Sequence, residues 1–462
     1  KKLKMFKFMD SLKKIVGCEL KDTLANSRII DIYILKRAKE KNTILPSANK
    51  NIHETYKGPL IESEKIGLVK NIAGFDFVSM YPSIIQTFNM SPETKNIESE
   101  GIKVNNLIFS KNKKGFMVEI IEELMNLIYE WKKQLNKVEF NSSEYLSLYD
   151  KQTSIKTIVN SVYGIFGYKN SRMYDYDIAS TVTFIARELT EKTKKISIKL
   201  GYKVVYIHTD SNYVKLLDDF SLEECIKKSE ELRDLINKEI NELLRQYNIN
   251  KNYVKIELEK FFKSAVFLEE ARYFALLVYQ DGKFIEPVVR ITGYDAIKRD
   301  TPRFIRLFLQ NFYKKILELS NFDEIMSLIQ TTIEEIKTQD LDDIGITIRI
   351  SKNINEYNSN AQHIRAAEYS NRHLGTNFKR TDYVKLIFIK SIKNGYKIPY
   401  SDVIGFDISI KDKIKEYFEI DWERMIERTI FMKIEKICDV INLNVNELKQ
   451  LNKGQEILAK WY

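Results

Sequence analysis

The stretch Val204–Val214, "VVYIHTDSNYV", decides how the rest of the sequence is interpreted. Two short β-forming runs, Val204–Ile207 and Tyr213–Val214, lie on either side of a polar turn that contains Asp210. Alternating β-branched and aromatic residues bounded by turn formers predict a hairpin. A carboxylate at such a tip is a common metal ligand, although His208 stands where a second acid would complete an obvious site. This stretch alone is compatible with a working metal site, a damaged one or a plain turn.

The composition is typical of a globular chain with more than one core. At 462 residues, two or three subdomains are expected, and 44% hydrophobic with 30% charged residues is ordinary for such proteins. No apolar run reaches the roughly 18 residues that span a bilayer, so we expect no membrane association. Three widely separated cysteines form neither a CxxC zinc pair nor a disulfide framework, which favours a reducing, cytoplasmic compartment.

The net charge of +10 and the pI of about 9.0 suit a polyanionic partner such as nucleic acid. The chain is also rich in lysine, so much of this charge would equally fit an ordinary solvated surface. Charge therefore leaves both interpretations open.

Hydrophobic periodicity predicts a mixed α/β region, a helical hairpin, a second mixed α/β region and a helical end. A tight turn is predicted at Gln280–Gly282, and helices dominate from about Pro302. The predicted helices are Ser27–Lys41, Phe116–Lys137, Ser142–Phe166 and Ile178–Leu200, and the predicted strands lie in Ile72–Ser79 and Lys255–Tyr279.

A second motif, "DFVSMYPSII", covers Asp76–Ile85. An acid at the end of a buried strand is costly unless it binds something. The turn after it offers backbone N–H groups and Ser79, which suit a phosphate, and Tyr81 is expected on that turn beside any bound nucleotide. The alternative is a solvated aspartate at a strand end.

A third motif, "KTIVNSVYG", covers Lys156–Gly164. On a helix, Lys156, Asn160 and Tyr163 share one face. That face presents a cation, an amide and an aromatic ring, and the lysine can meet a triphosphate as a point charge. A solvated helix face remains the alternative. Asp76 and Asp210, from separate strands, are the minimum for holding two Mg²⁺ ions about 4 Å apart, since Mg²⁺ takes only one or two protein carboxylates.

In this order the three motifs resemble those of the family B (alpha-like) DNA polymerases, whose patterns are DxxSLYPSII, KxxxNSxYG and YxDTDS. The resemblance covers nearly the whole chain, and "YKGPLIESEKIGLVKNIAGFDFVSMYPSII" is most similar to the archaeal branch. The segments "LEEARYFAL", "GYDAIKRDTP" and "NAQHIRAAEYSN" are similar to later parts of the same family.

The resemblance implies an α+β fold, the right-hand polymerase. It implies a mixed α/β palm over 1–110 and 169–300, helical-hairpin fingers over 111–168 and a mostly helical thumb over 301–454. It further implies primer-template DNA and deoxynucleoside triphosphates as partners, and a nucleoid-associated location. Two Mg²⁺ ions are implied as cofactors, with Mn²⁺ as a substitute.

The resemblance also implies roles for individual residues. Asp76, Asp210 and Lys156 are the implied catalytic residues, and the Phe77 carbonyl joins the two aspartates as a metal ligand. Tyr81 packs under the sugar and excludes a 2′-OH. The implied nucleotide-binding residues are Ser79, Met80, Tyr81, Lys132, Lys156, Asn160 and Tyr163, and the implied DNA-binding residues are Arg272, Tyr273, Lys298 and Arg299.

The sequence departs from the family pattern in three places. His208 replaces the first acid of YxDTDS, and Ile128 stands where an arginine contacts the triphosphate. Glu270-Ala271 replace two lysines before Arg272, which is expected to weaken DNA binding and flatten its salt dependence. We therefore expect a slower and less processive enzyme.

The length before Asp76, about 70 residues, is too short for the 3′–5′ exonuclease domain that family members carry. We expect either a truncated chain or a short archaeal paralogue without proofreading. The interval of 80 residues from Asp76 to Lys156 also argues against a protein-primed polymerase.

The last eight residues, "QEILAKWY", fit the Qxx(I/L/M)xx-aromatic-aromatic peptide that binds sliding clamps. In a helical turn, Leu458, Trp461 and Tyr462 form an apolar plug beside Gln455, so the segment 455–462 is predicted to bind a clamp. The alternative is an ordinary amphipathic last turn.

Three functions remain open from the sequence. The first is a template-directed DNA polymerase. The second is a catalytically weak or inactive paralogue that binds primer-template and clamp, and the third is a specialised lesion-bypass polymerase. The intact set of Asp76, Tyr81, Lys156 and Asp210 favours an enzyme, whereas the three departures favour the inactive paralogue.

Overall fold

The computed structural model describes residues 2–47, 56–64, 66–97, 100–135, 137–139, 142–249, 251–357, 361–444 and 449. The chain divides into two compact units. Unit 1 comprises Lys1–Glu62, Ala73–Val214 and Glu223–Glu259, and unit 2 comprises Ser63–Ile72, Lys215–Leu222 and Lys260–Tyr462. Unit 1 therefore contains all three motifs singled out above.

Unit 1 contains both helices and strands, and its strands β2, β6 and β7 continue into unit 2. They are α1 Lys2–Val16, α2 Asn26–Glu40, β1 Ile61–Ser63, β2 Ile66–Phe77, α3 Met80–Thr87, β3 Ile102–Val104, β4 Leu107–Phe109, α4 Phe116–Leu135, α5 Ser143–Gly167, α6 Tyr176–Lys199, β5 Lys203–His208, β6 Ser211–Lys215, α7 Leu222–Arg245 and β7 Ile256–Glu269.

In the sheet of unit 1, strands β1, β5, β6, β2 and the start of β7 are neighbours in that order. The hairpin predicted around Asp210 is confirmed as β5 and β6 joined by Thr209 and Asp210. Phe77 N–H donates to the Asp210 carbonyl at 3.1 Å, and Leu216 N–H donates to the Asn71 carbonyl at 2.8 Å. These two bonds define an antiparallel register between β2 and β6.

Strand β2 ends at Phe77, two residues before the predicted end. Ser79 has a left-handed backbone (φ 46°) and is the N-cap of α3, so the strand cannot continue through it. The prediction that Tyr81 lies on a turn is wrong, because Tyr81 is the second residue of helix α3.

The predicted helical hairpin is confirmed by α4 and α5, which pack against each other. The Ser142 hydroxyl accepts from Tyr145 N–H and caps the start of α5. The sequence did not indicate that α1 and α2 also pack on α5. Lys41 Nζ, just after α2, lies 2.7 Å from Glu119 and 3.1 Å from Glu123 of α4, so the N-terminal helices brace the hairpin.

The elements of unit 2, besides the portions of β2, β6 and β7 that belong to it, are again mixed. They are β8 Arg272–Gln280, β9 Lys283–Thr292, α8 Arg303–Leu317, α9 Phe322–Glu335, α10 Leu341–Ile344, β10 Ile346–Arg349, α11 Gln362–His373, β11 Tyr383–Ile392, β12 Val403–Phe406, α12 Lys411–Tyr417, β13 Phe418–Ile420, α13 Trp422–Ile426 and α14 Met432–Val440.

Strands β7, β8 and β9 form an antiparallel meander in unit 2. The predicted turn at Gln280–Gly282 is confirmed, with positive φ at Asp281 (50°) and Gly282 (83°), the backbone of a type I′ turn. A second tight turn at Glu270-Ala271, where Ala271 has φ 55°, joins β7 to β8. The departure from the family's lysine pair therefore lies at an exposed hairpin tip.

The helices predicted after Pro302 are present, but the structure adds a four-stranded antiparallel sheet of β10, β11, β12 and β13. In strand β11, Val384 and the four consecutive residues Leu386–Ile389 are buried. A strand buried on both faces lacks the polar–apolar alternation that reveals strands in a sequence. Its side chains join one core with α8, α9, α11 and α14.

The helices and the cysteines bear on two expectations from the sequence. No described helix is both long and apolar enough to cross a bilayer. Cys18, Cys225 and Cys438 are all buried free thiols, which agrees with the expectation that the cysteines form no disulfide framework.

Candidate active site

The two aspartates singled out in the sequence lie on neighbouring strands of unit 1. The hydrogen bond between Phe77 N–H and the Asp210 carbonyl brings the end of β2 beside the hairpin tip. In the same register Asp76 lies opposite Ser211, whose hydroxyl donates to Asp76 Oδ1 at 2.5 Å. Both aspartate side chains are partly exposed, so two carboxylates lie near each other where the interior strand β2 ends beside the hairpin turn.

The turn that carries Asp210 has a strained backbone. Thr209 adopts φ 58°, a left-handed conformation that is costly for a β-branched residue. Its N–H donates to the Leu60 carbonyl at 3.0 Å, and its own carbonyl accepts from Thr190 Oγ1 at 3.3 Å. These contacts hold the turn, and therefore Asp210, in one conformation.

Three tyrosines form a cluster beside the aspartates. The Tyr81 and Tyr163 rings are stacked, with centroids 4.2 Å apart and planes 27° apart. The Tyr163 and Tyr56 hydroxyls lie 3.1 Å apart and share a hydrogen bond. The cluster thus connects the segment before β1, helix α3 and helix α5.

The hydroxyls of Tyr81 and Tyr163 stay protonated over the physiological range. Burial, with a smaller contribution from the Asp210 carboxylate, raises the pKa of Tyr81 to about 12. Burial and the hydrogen bond that Tyr163 shares with Tyr56 raise the pKa of Tyr163 above its ordinary value. The Asp210 carboxylate therefore acts electrostatically on the Tyr81 hydroxyl.

Arg187 of α6 orders the segment that carries Tyr56. Its guanidinium donates to the carbonyls of Lys57 and Gly58 at 2.7 and 2.8 Å. Gly167 of α5 lies so close that a Cβ there would collide with the Tyr56 hydroxyl. Tyr56 and Arg187 lie outside the three motifs, so no spacing signal marked them as site residues. Ser211 lies within the Val204–Val214 stretch, but its contact with Asp76 depends on the pairing of β6 with β2 and is not visible in the sequence.

The predicted face of α5 is present. Lys156 and Asn160 are exposed and Tyr163 is half-buried. Lys132, near the end of α4, is exposed, whereas Ile128 is partly buried. Met80 is buried at the first position of α3, so only its backbone is available to a ligand.

Comparison with known proteins now identifies the family. The model of DNA polymerase family B matches residues 20–441. This chain belongs to DNA polymerase family B. The family assignment agrees with the resemblance drawn from the three motifs.

Curated relatives of this family B chain are archaeal DNA polymerases. The chain is 27% identical over 479 residues to "DNA polymerase" of Pyrococcus glycovorans, covering 97% of this chain and 56% of the relative. It is 26% identical to "DNA polymerase" of Archaeoglobus fulgidus, covering 95% of this chain and 54% of the relative. The chain therefore spans about half the length of these relatives.

A solved family B DNA polymerase from Pyrobaculum calidifontis has a similar fold. Its TM-score is 0.68 at 22% sequence identity, covering 95% of this chain and 54% of that one. At this identity the likeness concerns the fold, and it agrees with the predicted α+β class.

A metal ion bound by this family B chain would have few protein ligands. Within the described ranges, no cluster of three or more His, Cys, Asp or Glu side chains could hold a metal ion. The two-residue turn makes His208 and Ser211 the closing pair of the hairpin. Asp76 and Asp210 are the carboxylates that the pairing of β2 and β6 brings close together, and one or two protein carboxylates are what Mg²⁺ usually takes.

The predicted DNA-binding residues lie in unit 2. Arg272 is paired with Glu269 at 2.8 Å, and Lys298 with Asp295 at 2.9 Å. Tyr273 is partly exposed, and Arg299 is exposed. The predicted clamp-binding residues Gln455, Leu458, Trp461 and Tyr462 lie outside the described residues.

Proposed function

We propose that this chain is a template-directed DNA polymerase that adds deoxynucleotides to a primer 3′-OH. The observation that carries the proposal is the placement of Asp76 beside Asp210 by the pairing of β2 with the β5–β6 hairpin, with Tyr81 on the helix that follows β2. The proposal includes the division into palm (1–110 and 169–300), fingers (111–168) and thumb (301–454). It assigns no proofreading activity to the chain.

Two divalent ions, Mg²⁺ or Mn²⁺, are part of this proposal. Asp76, Asp210 and the Phe77 carbonyl would hold them, and the oxygen donor set supports that choice. When bound, such ions lower the pKa of the primer hydroxyl and neutralise charge on the triphosphate. Ser211 holds the Asp76 carboxylate in place by its hydrogen bond.

The triphosphate would be bound by cations and by the start of a helix. Lys156 and Lys132 are exposed on the two hairpin helices and can approach phosphate oxygens as point charges. Ser79 and the backbone N–H of Met80 lie at the N-terminus of α3, where the helix dipole favours an anion. Asn160 and Tyr163 would line the nascent base pair.

Tyr81 would decide which sugar is accepted. Its ring is held by stacking on Tyr163, and Tyr163 is fixed in turn by Tyr56. A rigid ring under the sugar leaves no room for a 2′-OH, so deoxynucleotides would be preferred. The raised pKa of Tyr81 keeps its hydroxyl neutral in this position.

Duplex DNA would be gripped by Arg272, Tyr273, Lys298 and Arg299, and the net charge of +10 supports a polyanionic partner. The ion pairs of Arg272 and Lys298 with acids reduce the positive charge that these two residues present. A sliding clamp would bind the C-terminal peptide 455–462. With these partners the protein would act at the nucleoid.

A catalytically inactive paralogue that binds primer-template and clamp is the second candidate. It is favoured by Ile128 and His208, which replace charged residues of the family pattern, and by Glu270 at the β7–β8 turn. Repair or lesion bypass is a refinement of the first candidate. Extension across an abasic template base would test that refinement.

Primer extension separates the two candidates. The wild-type chain and Asp210→Ala are each incubated with a primer-template, deoxynucleoside triphosphates and Mg²⁺ or Mn²⁺. The polymerase proposal expects extension by the wild type and none by the variant. Extension by neither protein, while both still bind primer-template, would favour the inactive paralogue.

A further inference from the structure

Five side chains on helix α5 are arranged symmetrically about Lys156. Asn160 and Tyr163 follow the lysine by four and seven residues, and Gln152 and Tyr149 precede it by four and seven. Spacings of four and seven residues return to the same face of an α-helix. An amide and an aromatic ring therefore lie on each side of the lysine along one face of α5.

The two tyrosines at the ends of this face differ in accessibility. Tyr163 is half-buried, since it stacks on Tyr81 and is hydrogen bonded to Tyr56. Tyr149 is 50% exposed. Its ring is nearly parallel to that of Tyr145, with planes 12° apart and centroids 6.2 Å apart. The Tyr149 ring is therefore supported by Tyr145 on the same helix. Among the described residues, no ring of another element stacks on it.

We infer that Tyr149, Gln152 and Lys156 form a second binding site for a nucleoside triphosphate, occupied before insertion. The inference rests on the proposed function, which places the triphosphate on Lys156. A rise of about 1.5 Å per residue puts each tyrosine about 10 Å along the axis from the lysine. A nucleotide that spans Lys156 to Tyr163 during insertion can therefore span Lys156 to Tyr149 in the opposite direction.

In this second orientation the base would stack on Tyr149. Base–aromatic stacking tolerates any base, because every base has a π-face. The Gln152 amide can donate to or accept from the sugar or the base edge. All four deoxynucleotides would therefore bind, and selection by the template would follow when the base moves to the Tyr163 side.

The composition of this face favours a nucleotide over a protein partner. The residues at these positions from Tyr145 to Tyr163 are tyrosine, glutamine, lysine and asparagine, without an aliphatic side chain. Peptides that dock on a helix use apolar anchors in a groove. A cation flanked by amides and flat rings instead matches a phosphate joined to a base.

Equilibrium binding of 2-aminopurine deoxyribonucleoside triphosphate to the full chain, without primer-template, tests the inference. Stacking on tyrosine quenches the fluorescence of this base. Tyr149→Ala is expected to weaken binding about tenfold, in line with the loss of one base–aromatic stack, and Tyr149→Phe to preserve it. The control is Tyr129→Ala, which removes a 71% exposed tyrosine from the neighbouring helix α4 and should leave the affinity unchanged.

Equal affinities of the wild type and Tyr149→Ala would overturn the inference. It would also be overturned if Tyr149→Ala weakened binding of a single-stranded oligodeoxythymidylate while the nucleotide affinity stayed the same. Primer extension by the wild-type chain separates this inference from the proposed function. Tyr149-dependent nucleotide binding by a wild-type chain that extends no primer would support the site and contradict the polymerase activity.

Discussion

Ser211 Oγ and Asp76 Oδ1 are joined by a hydrogen bond of 2.5 Å between neighbouring strands. Ser211 follows Asp210 directly in the chain. The β5–β6 hairpin therefore supplies the Asp210 carboxylate and also restrains the carboxylate of Asp76. Hydrogen bonds to a charged acceptor are stronger than neutral ones. This contact therefore makes Ser211 a positioning residue for the proposed metal site.

Replacing Ser211 with alanine is expected to slow primer extension. The lost hydrogen bond to a charged group is worth about 1.5–3 kcal/mol, which corresponds to a fall of roughly ten- to a hundredfold in the single-turnover rate. Ser211→Thr keeps the hydroxyl and should retain most of the rate. An unchanged rate in Ser211→Ala, with normal thermal stability, would contradict a positioning role.

Asp210 and His208 are expected to respond in opposite ways to substitution. A unit charge at about 4 Å is worth roughly 4 kcal/mol at an effective dielectric constant near 20, so Asp210→Asn should reduce extension by about a thousandfold. His208→Asp restores an acid at the closing pair of the hairpin and should preserve or raise the rate. Normal extension by Asp210→Asn would mean that the hairpin is only a turn.

The sugar preference is expected to depend on the Tyr81 ring. Tyr81→Ala removes the ring that stacks on Tyr163 and should raise ribonucleotide incorporation relative to deoxynucleotide incorporation by roughly ten- to a hundredfold. The measurement is the ratio of kcat/KM for matched ribo- and deoxynucleoside triphosphates. Tyr81→Phe keeps the ring and serves as the control. A ratio that stays the same in Tyr81→Ala would exclude Tyr81 from sugar selection.

Asn212, on strand β6, is expected to be a point of instability. The residue is fully buried, and neither polar atom of its amide has a hydrogen-bond partner among the described residues. Asn212→Leu replaces the unpaired amide with an apolar side chain of the same branched shape and should raise the free energy of unfolding by about 1–3 kcal/mol. Urea denaturation measures the change, and Asn212→Ala, which leaves a cavity, should show a smaller gain or none. An Asn212→Leu variant that is less stable than the wild type would contradict the prediction that the unpaired Asn212 amide destabilises the fold.

The folded state is expected to lose stability between about pH 10 and pH 12. The pKa of Tyr81 is raised from 10 to about 12 when the chain folds. The contribution of Tyr81 to the free energy of unfolding is therefore full below pH 10 and is lost as the pH approaches 12. In that range the tyrosine of the unfolded chain releases its hydroxyl proton before that of the folded chain does. Two pKa units correspond to at most about 2.7 kcal/mol, and the partial exposure of Tyr81 to solvent makes its contribution smaller. Urea denaturation across this pH range, compared with Tyr81→Phe, should show a shallower loss in the variant.

The sequence by itself determined the family and the local form of its motifs. The alternation of apolar and polar residues around Asp210 predicted the hairpin, and the helical spacing of apolar residues predicted α4 and α5. Both patterns arise because each element buries one of its own faces. The three motifs in order indicated family B, and the family model later matched residues 20–441. No such signal revealed β11, since a strand buried on both faces lacks alternation.

Only the tertiary structure decided which residues meet across elements. The Ser211–Asp76 bond depends on the register of β2 and β6, and the Tyr56–Tyr163 bond joins residues 107 positions apart. The same holds for the packing of α1 and α2 on α5 and for the unpaired amide of Asn212. Periodicity along one element describes how that element is buried, whereas the identity of its neighbours is set by strand register and helix packing, which are non-local.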